Sequence, residues 1–190
     1  MSGFSPRFLL RSLPNLITLA RLLAVPVAVW LIIGDRFIAA FWLFIAAGVS
    51  DALDGFIARK LAIRSTLGAY LDPLADKALL TSVYVSLGYV GHMATWLVIL
   101  VVFRDVLIIG GAILYHTLTQ RLKVEPLLVS KANTAAQIAL AALVLAQRGL
   151  AFNSHGLDVG LIFVVAATTL LSGGAYILRW GWRIAHIEGS

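Results

Sequence analysis

Cysteine is absent from this sequence, so disulfides are excluded and the redox compartment is left open. Charge is scarce: 13% of the 190 residues are charged, where soluble domains carry about 25%. Acidic residues number only nine. An ordinary soluble fold is excluded by the same composition, which is 61% hydrophobic with a mean hydropathy of +0.94. The net charge of +6 is not gathered into a basic block, which disfavours nucleic acid as a partner and suits anionic lipid headgroups. There is no internal repeat and no low-complexity tract. No small-residue cleavage site follows a short apolar core near the N-terminus, so no cleavable targeting segment is expected.

What is present is a series of long apolar stretches. A helix crosses the hydrocarbon layer in roughly 20 residues. Six stretches qualify: about Leu16–Ile33, Ile38–Ala58, Gly68–Val90, Ala94–Thr117, Asn133–Ala146 and Leu157–Leu178. The fifth is the shortest. Turn-forming breaks at "GDR", "KLAIRST", "GH", "QRLKVEP" and "QRGLAFNSHG" separate them. The expected fold is all-α, one membrane domain over residues 1–190 with six transmembrane helices. Residues 1–12, basic and studded with Phe4, Phe8, Leu9 and Leu10, read as a helix lying in the interface. Arg7, Arg11, Lys60, Arg64, Arg121, Lys123, Arg179 and Arg183 fall on one side, against Arg36 and Arg148 on the other. That bias places both termini in the cytoplasm.

Four of the nine acids lie in one short apolar neighbourhood: Asp51 and Asp54 near the end of span two, Asp72 and Asp76 near the start of span three. At 1.5 Å per residue, all four sit roughly 6–12 Å below the cytoplasmic surface. The i, i+3 and i, i+4 spacings put each pair on one helix face, and the short connection makes the two helices expected antiparallel neighbours. One aspartate inside a span costs about 2.5–3.5 kcal/mol, and four together repel. Arg59 and Lys77 are too few to balance them. Two hard divalent cations, Mg²⁺ or Mn²⁺, would balance them, with the carboxylates as oxygen ligands. Gly55, Ala58 and Gly68 leave bare helix surface beside the carboxylates, suited to a flat or phosphate-bearing ligand, with Arg59 at the rim. Acidic residues in spans also mark ion pathways. A divalent-cation transporter is the competing class, but these acids are shallow and no polar path continues across the membrane.

The whole pattern, Asp51, Asp54, Gly55, Ala58, Arg59, Gly68, Asp72 and Asp76 at their spacings, resembles the signature of the CDP-alcohol phosphatidyltransferases. The resemblance extends from "PNLITLARLLAVP" to the last span. It implies a six-helix membrane enzyme, usually a homodimer, with a polar cavity open to the cytoplasm. It also implies metal ligation by Asp51, Asp54, Asp72 and Asp76, with Asp76 as general base, and nucleotide contact at Gly55, Ala58, Arg59 and Gly68. The family reading places Asn15 and Thr18, in "PNLITLAR" with Arg21, beside the CDP moiety.

Three stretches bear on the acceptor alcohol. "YVSLGY", "RDVLIIGG" and "EPLLVSKANTAAQ" together resemble the eukaryotic-type cardiolipin synthases, which transfer phosphatidyl from CDP-diacylglycerol to phosphatidylglycerol. The alternative acceptor is glycerol-3-phosphate, as in phosphatidylglycerophosphate synthases. Either is anionic, and Arg104 and Lys131 are the expected acceptor-binding cations. Arg104 and Asp105 are adjacent on one helix, which disfavours a direct bridge between them. Lys131, Thr134 and Gln137 are expected on one face of span five. The histidines fall at span ends and loops, where no catalytic role is expected. The small size suits a bacterial inner membrane.

Overall fold

The computed structural model describes residues 6–61, 66–119 and 128–185, and the side chains of 18–52, 75, 77–111 and 128–179. Six helices lie among the described residues: α1 (Pro6–Ile33), α2 (Phe37–Leu61), α3 (Thr66–Tyr89), α4 (Thr95–Thr119), α5 (Leu128–Leu150) and α6 (Leu157–Ala185). No strand occurs among the described residues. Four expected spans lie within α1, α2, α5 and α6; the third and fourth start within two residues of α3 and α4 and overrun them by at most one. Residues 6–12 are helical but run directly into the first apolar stretch as part of α1, rather than forming a separate helix. The expected breaks at 62–65 and 120–127 lie outside the described residues.

Helix α5 is longer than the hydropathy of its sequence implies: it spans 23 residues rather than the 14 from Asn133 to Ala146. The reason is the direction of its polar side chains. Asn133 and Gln137, one turn apart, are fully buried, so the polar residues that depress the hydropathy face the bundle interior. Two described helical segments, Leu128–Leu150 and Leu157–Arg179, are long and apolar enough to cross a membrane; Thr18–Ile33 and Phe37–Ala52 are shorter apolar segments. The outer faces carry large apolar side chains in the open, among them Leu23, Trp30, Ile99, Phe103, Phe163 and Leu171. A sheath of that kind is suited to hydrocarbon rather than water.

The helices close into a ring. α1 packs on α2, α2 on α5, α5 on α6, α6 on α4, α4 on α3 and α3 on α1, with α3 also meeting α5 across the middle. The apolar core lies toward one end, where Ile32, Val83, Tyr84, Leu87, Leu97, Leu140 and Leu145 interlock. Two tight stops define that end. After α1, Arg36 N–H donates to Leu31 O (2.8 Å) and Asp35 N–H to Ile32 O (3.1 Å), with Asp35 left-handed at φ 56°. After α3, His92 N–H donates to Leu87 O (2.8 Å) and Gly91 N–H to Gly88 O (3.1 Å), with Gly91 at φ 76°. Both are Schellman closures, which satisfy the last carbonyls of a helix. His92 packs edge-on to Phe37 at 5.1 Å. Its partial burial lowers its pKa, and Arg148 lowers it further.

The α2–α5 contact is tightest at the same end. A Cβ on Gly149 would fall 2.8 Å from the backbone nitrogen of Ile38 and 2.9 Å from its Cα. Backbone cannot yield as a flexible side chain does. Gly149→Val is therefore expected to destabilise the bundle by about 1–3 kcal/mol, read as a lower thermal midpoint in detergent. An unchanged midpoint would show that α2 and α5 are not in contact there.

Candidate active site

From that contact α2 and α5 run antiparallel, and toward the other end a cavity of about 550 Å³ opens, lined from α1, α2, α3 and α5. Its walls divide by chemistry. Phe44, Ile45, Val49, Leu79, Leu80 and Ile138 make an apolar part. Arg21, Asp51, Lys77 and Thr134 make a polar part. Small residues on α2, Ala47 and Gly48, leave the space between them.

Asp51 is the one member of the carboxylate set whose side chain is described. Its Oδ1 lies 2.8 Å from Nη2 of Arg21, and its side chain remains 44% exposed. Arg21 is buried on α1, with Thr18 buried one turn before it, as the i, i+3 spacing requires. Asp54, Gly55, Ala58 and Arg59 continue along α2, and Gly68, Asp72 and Asp76 lie along α3. Their side chains, and that of Asn15, lie outside the described residues. Among the described side chains no three acidic, histidine or cysteine residues come together.

The expected packing of α2 on α3 falls on residues 53–74, whose side chains lie outside the described residues. Among the described residues these helices make no close approach: α1 packs on both, and the cavity lies between them. At the cavity, Arg21 on α1 supplies one cation to Asp51 on α2.

A correction concerns Arg104 and Asp105. The adjacent pair does form a bridge, Arg104 Nη1 to Asp105 Oδ1 at 2.8 Å. The long arginine side chain folds back across the angle that separates neighbouring residues. Arg104 Nη2 also donates to Ser130 Oγ on α5 and Ser172 Oγ on α6, each at 2.5 Å. Gly173 lies against the stem of this arginine, 3.6 Å from its Cγ to a Cβ position. The other side of Asp105 takes Lys77: Nζ donates to Oδ1 at 2.7 Å and to Oδ2 at 2.8 Å. Three helices are thus joined to α3 through one carboxylate and one guanidinium.

On α5 the expected shared face of Lys131, Thr134 and Gln137 separates. Lys131 is exposed, Thr134 reaches the cavity wall, and Gln137 is fully buried. Asn133, also buried, accepts at Oδ1 from the hydroxyls of Thr168 and Thr169, both at 2.9 Å. Tyr84 donates its hydroxyl to Gln137 O at 3.1 Å. Sequence reasoning assigned no role to Asp105, Ser130, Asn133 or Ser172. The available signal was the i, i+3 spacing of Ser130 and Asn133, with Gln137 a turn further on.

An amphipathic cavity with the Asp51 carboxylate at its wall agrees with a match along the sequence. Residues 11–172 fit the model of the CDP-alcohol phosphatidyltransferases. The chain belongs to this family. Relatives within the family have two kinds of name. The chain is 36% identical to a chloroplastic CDP-diacylglycerol–glycerol-3-phosphate 3-phosphatidyltransferase of Oryza sativa subsp. japonica, over 95% of this chain and 60% of that protein. It is 40% identical to a cardiolipin synthase (CMP-forming) of Homo sapiens, over 71% of this chain and 50% of that protein. It is 41% identical to a CDP-diacylglycerol–glycerol-3-phosphate 3-phosphatidyltransferase of Cereibacter sphaeroides, over 70% and 63% respectively. It therefore spans only part of the length of these family members.

Proposed function

We propose that the chain transfers a phosphatidyl group from CDP-diacylglycerol to phosphatidylglycerol, giving cardiolipin and CMP. The observation that carries this reading is the cavity, with charged residues in one part and apolar walls in the other. Such walls suit a donor and an acceptor that both bear acyl chains. The likeness of "RDVLIIGG" and "EPLLVSKANTAAQ" to the cardiolipin synthases supports the same acceptor. Glycerol-3-phosphate is the second reading, favoured by the names of the rice and Cereibacter relatives.

The residues fit divalent cations. Asp51 presents an accessible carboxylate to the cavity, and hard oxygen donors recur at helical spacing along α2 and α3. Asp51, Asp54, Asp72 and Asp76 would hold two Mg²⁺ or Mn²⁺ ions, which when bound supply charge neutralisation for the pyrophosphate and its leaving group. Arg21 holds Asp51 in place. Asn15, Thr18, Gly55, Ala58, Arg59 and Gly68 surround the CDP moiety. Asp76 takes the proton from the acceptor hydroxyl, whose oxygen attacks the lipid-side phosphorus while the bond to CMP breaks. Lys131 at the rim and Arg104 from within the bundle favour an anionic acceptor, Arg104 through the field it adds behind Asp105.

The same reading makes the chain one membrane domain of six spans with its termini and cavity facing the cytoplasm, in a bacterial inner membrane, working as a homodimer. The test is direct. Purified protein is incubated with CDP-diacylglycerol, Mg²⁺ and each acceptor in turn, and the lipid product is identified by mass spectrometry. Cardiolipin from phosphatidylglycerol is the expected product. Phosphatidylglycerophosphate alone would establish the second reading.

A further inference from the structure

The chain of charges behind the cavity wall has an imbalance that bears on the acceptor. Lys77 and Arg104 both bond to the single carboxylate of Asp105, so the trio carries one net positive charge. The charges are unequally placed: the side chains of Arg104 and Asp105 are 3% and 7% exposed, that of Lys77 is 29% exposed and lines the cavity. A buried excess charge needs a counter-charge. Lys77 is the member of the trio that is open to the cavity, so an anion entering there meets its ammonium.

We propose that Lys77 binds the phosphate of a glycerol-linked acceptor, and that Asp105, held by Arg104, is the positioning residue that aims it. This rests on the transferase reading of the same cavity. Lys77 follows Asp76, the proposed base, and neighbouring helix positions diverge by about 100°. As consecutive positions on α3, Asp76 and Lys77 do not share a point, and Lys77 is the one described at the cavity wall. An acceptor whose hydroxyl meets the first presents its phosphate, one glycerol backbone away, to the second. The donor pyrophosphate belongs instead with the aspartates and Arg21. Asp105 uses both oxygens on Lys77 at 2.7 and 2.8 Å. It thereby restrains a flexible four-carbon side chain that would otherwise lose much rotamer freedom on binding. Ser130 and Ser172, donated to by Arg104 Nη2, hold the far end of the chain from α5 and α6.

The experiment compares Lys77→Met, Lys77→Arg and Asp105→Asn with the parent, using phosphatidylglycerol in one arm and glycerol-3-phosphate in the other. Initial rates of CMP release give KM for acceptor and donor, and thermal-shift titration gives acceptor binding without turnover. Lys77→Met leaves the Arg104–Asp105 pair intact and is the variant best able to fold. It is expected to raise KM and the binding midpoint for the parent's acceptor by about 10- to 100-fold, the weight of a charge-assisted contact. The donor KM should move less than about threefold, and Lys77→Arg should recover most of the loss. Asp105→Asn should raise the acceptor KM by about tenfold with the smaller change again on the donor. An acceptor KM in Lys77→Met within threefold of the parent, or equal losses for donor and acceptor, would overturn the proposal. If the parent releases no CMP yet binds an acceptor through Lys77, the transferase reading fails and the anion site stands. If no acceptor binds at all, both fail.

Discussion

Asp51→Asn is expected to abolish turnover while the bundle keeps its thermal midpoint to within a few degrees. The side chain is 44% exposed at a cavity wall, and Arg21 is its described partner. Asparagine keeps its volume and can still accept from the guanidinium, so little packing is lost. What disappears is the negative charge. Altering even an outer partner of a metal ligand costs about 10- to 100-fold in affinity or activity, so replacing a ligand is expected to cost more than about 100-fold. Asp72→Asn should behave alike, because the two-metal reading gives it the same role as a ligand. EDTA should abolish activity in the parent, and Mg²⁺ or Mn²⁺ should restore it. Full CMP release in chelator would remove the two-metal reading outright.

The six helices were legible because their signals are collective: each apolar stretch is long, and the stops after α1 and α3 carry a Gly or Asp where a left-handed residue closes the helix. The length of α5 was not legible. A hydropathy profile records that Ser130, Asn133, Thr134 and Gln137 are polar but not that Asn133 and Gln137 point inward, where hydroxyls of α6 meet Asn133. The contact of α1 with both α2 and α3 was not legible either, because a short connection constrains two helix ends and says nothing of a third helix. The Arg104–Asp105 bridge shows the limit of treating side chains as fixed vectors, since an arginine can reach back past its own Cα to a neighbour. At the site, Asp51 lies on the cavity with Arg21 beside it, a cation from α1 that the charge count over the carboxylate region did not include. Lys77 was visible as a nearby cation, but its bond to Asp105 spans 28 residues and needs the fold.

Asp76→Asn is the expected discriminator between binding and chemistry. Asp76 lies on α3 between fully buried Ala75 and Lys77, which lines the cavity. A base must reach the acceptor proton, and this position adjoins the wall to which the acceptor phosphate is assigned. A positioned general base contributes about 10²- to 10⁴-fold, so kcat should fall by about that factor while CDP-diacylglycerol still binds. The same carboxylate is also assigned to a metal, and the two roles separate on titration. If raising Mg²⁺ restores the rate in Asp76→Asn, the loss was one of ligation. If the rate stays low at saturating Mg²⁺, the missing function is proton acceptance. Stereochemistry gives the complementary check. Direct attack by the acceptor oxygen requires inversion at the lipid-side phosphorus, read with a chiral thiophosphoryl donor. Retention would mean two displacements through a covalent enzyme intermediate, and Asp76 would then have to be reconsidered as a nucleophile rather than a base.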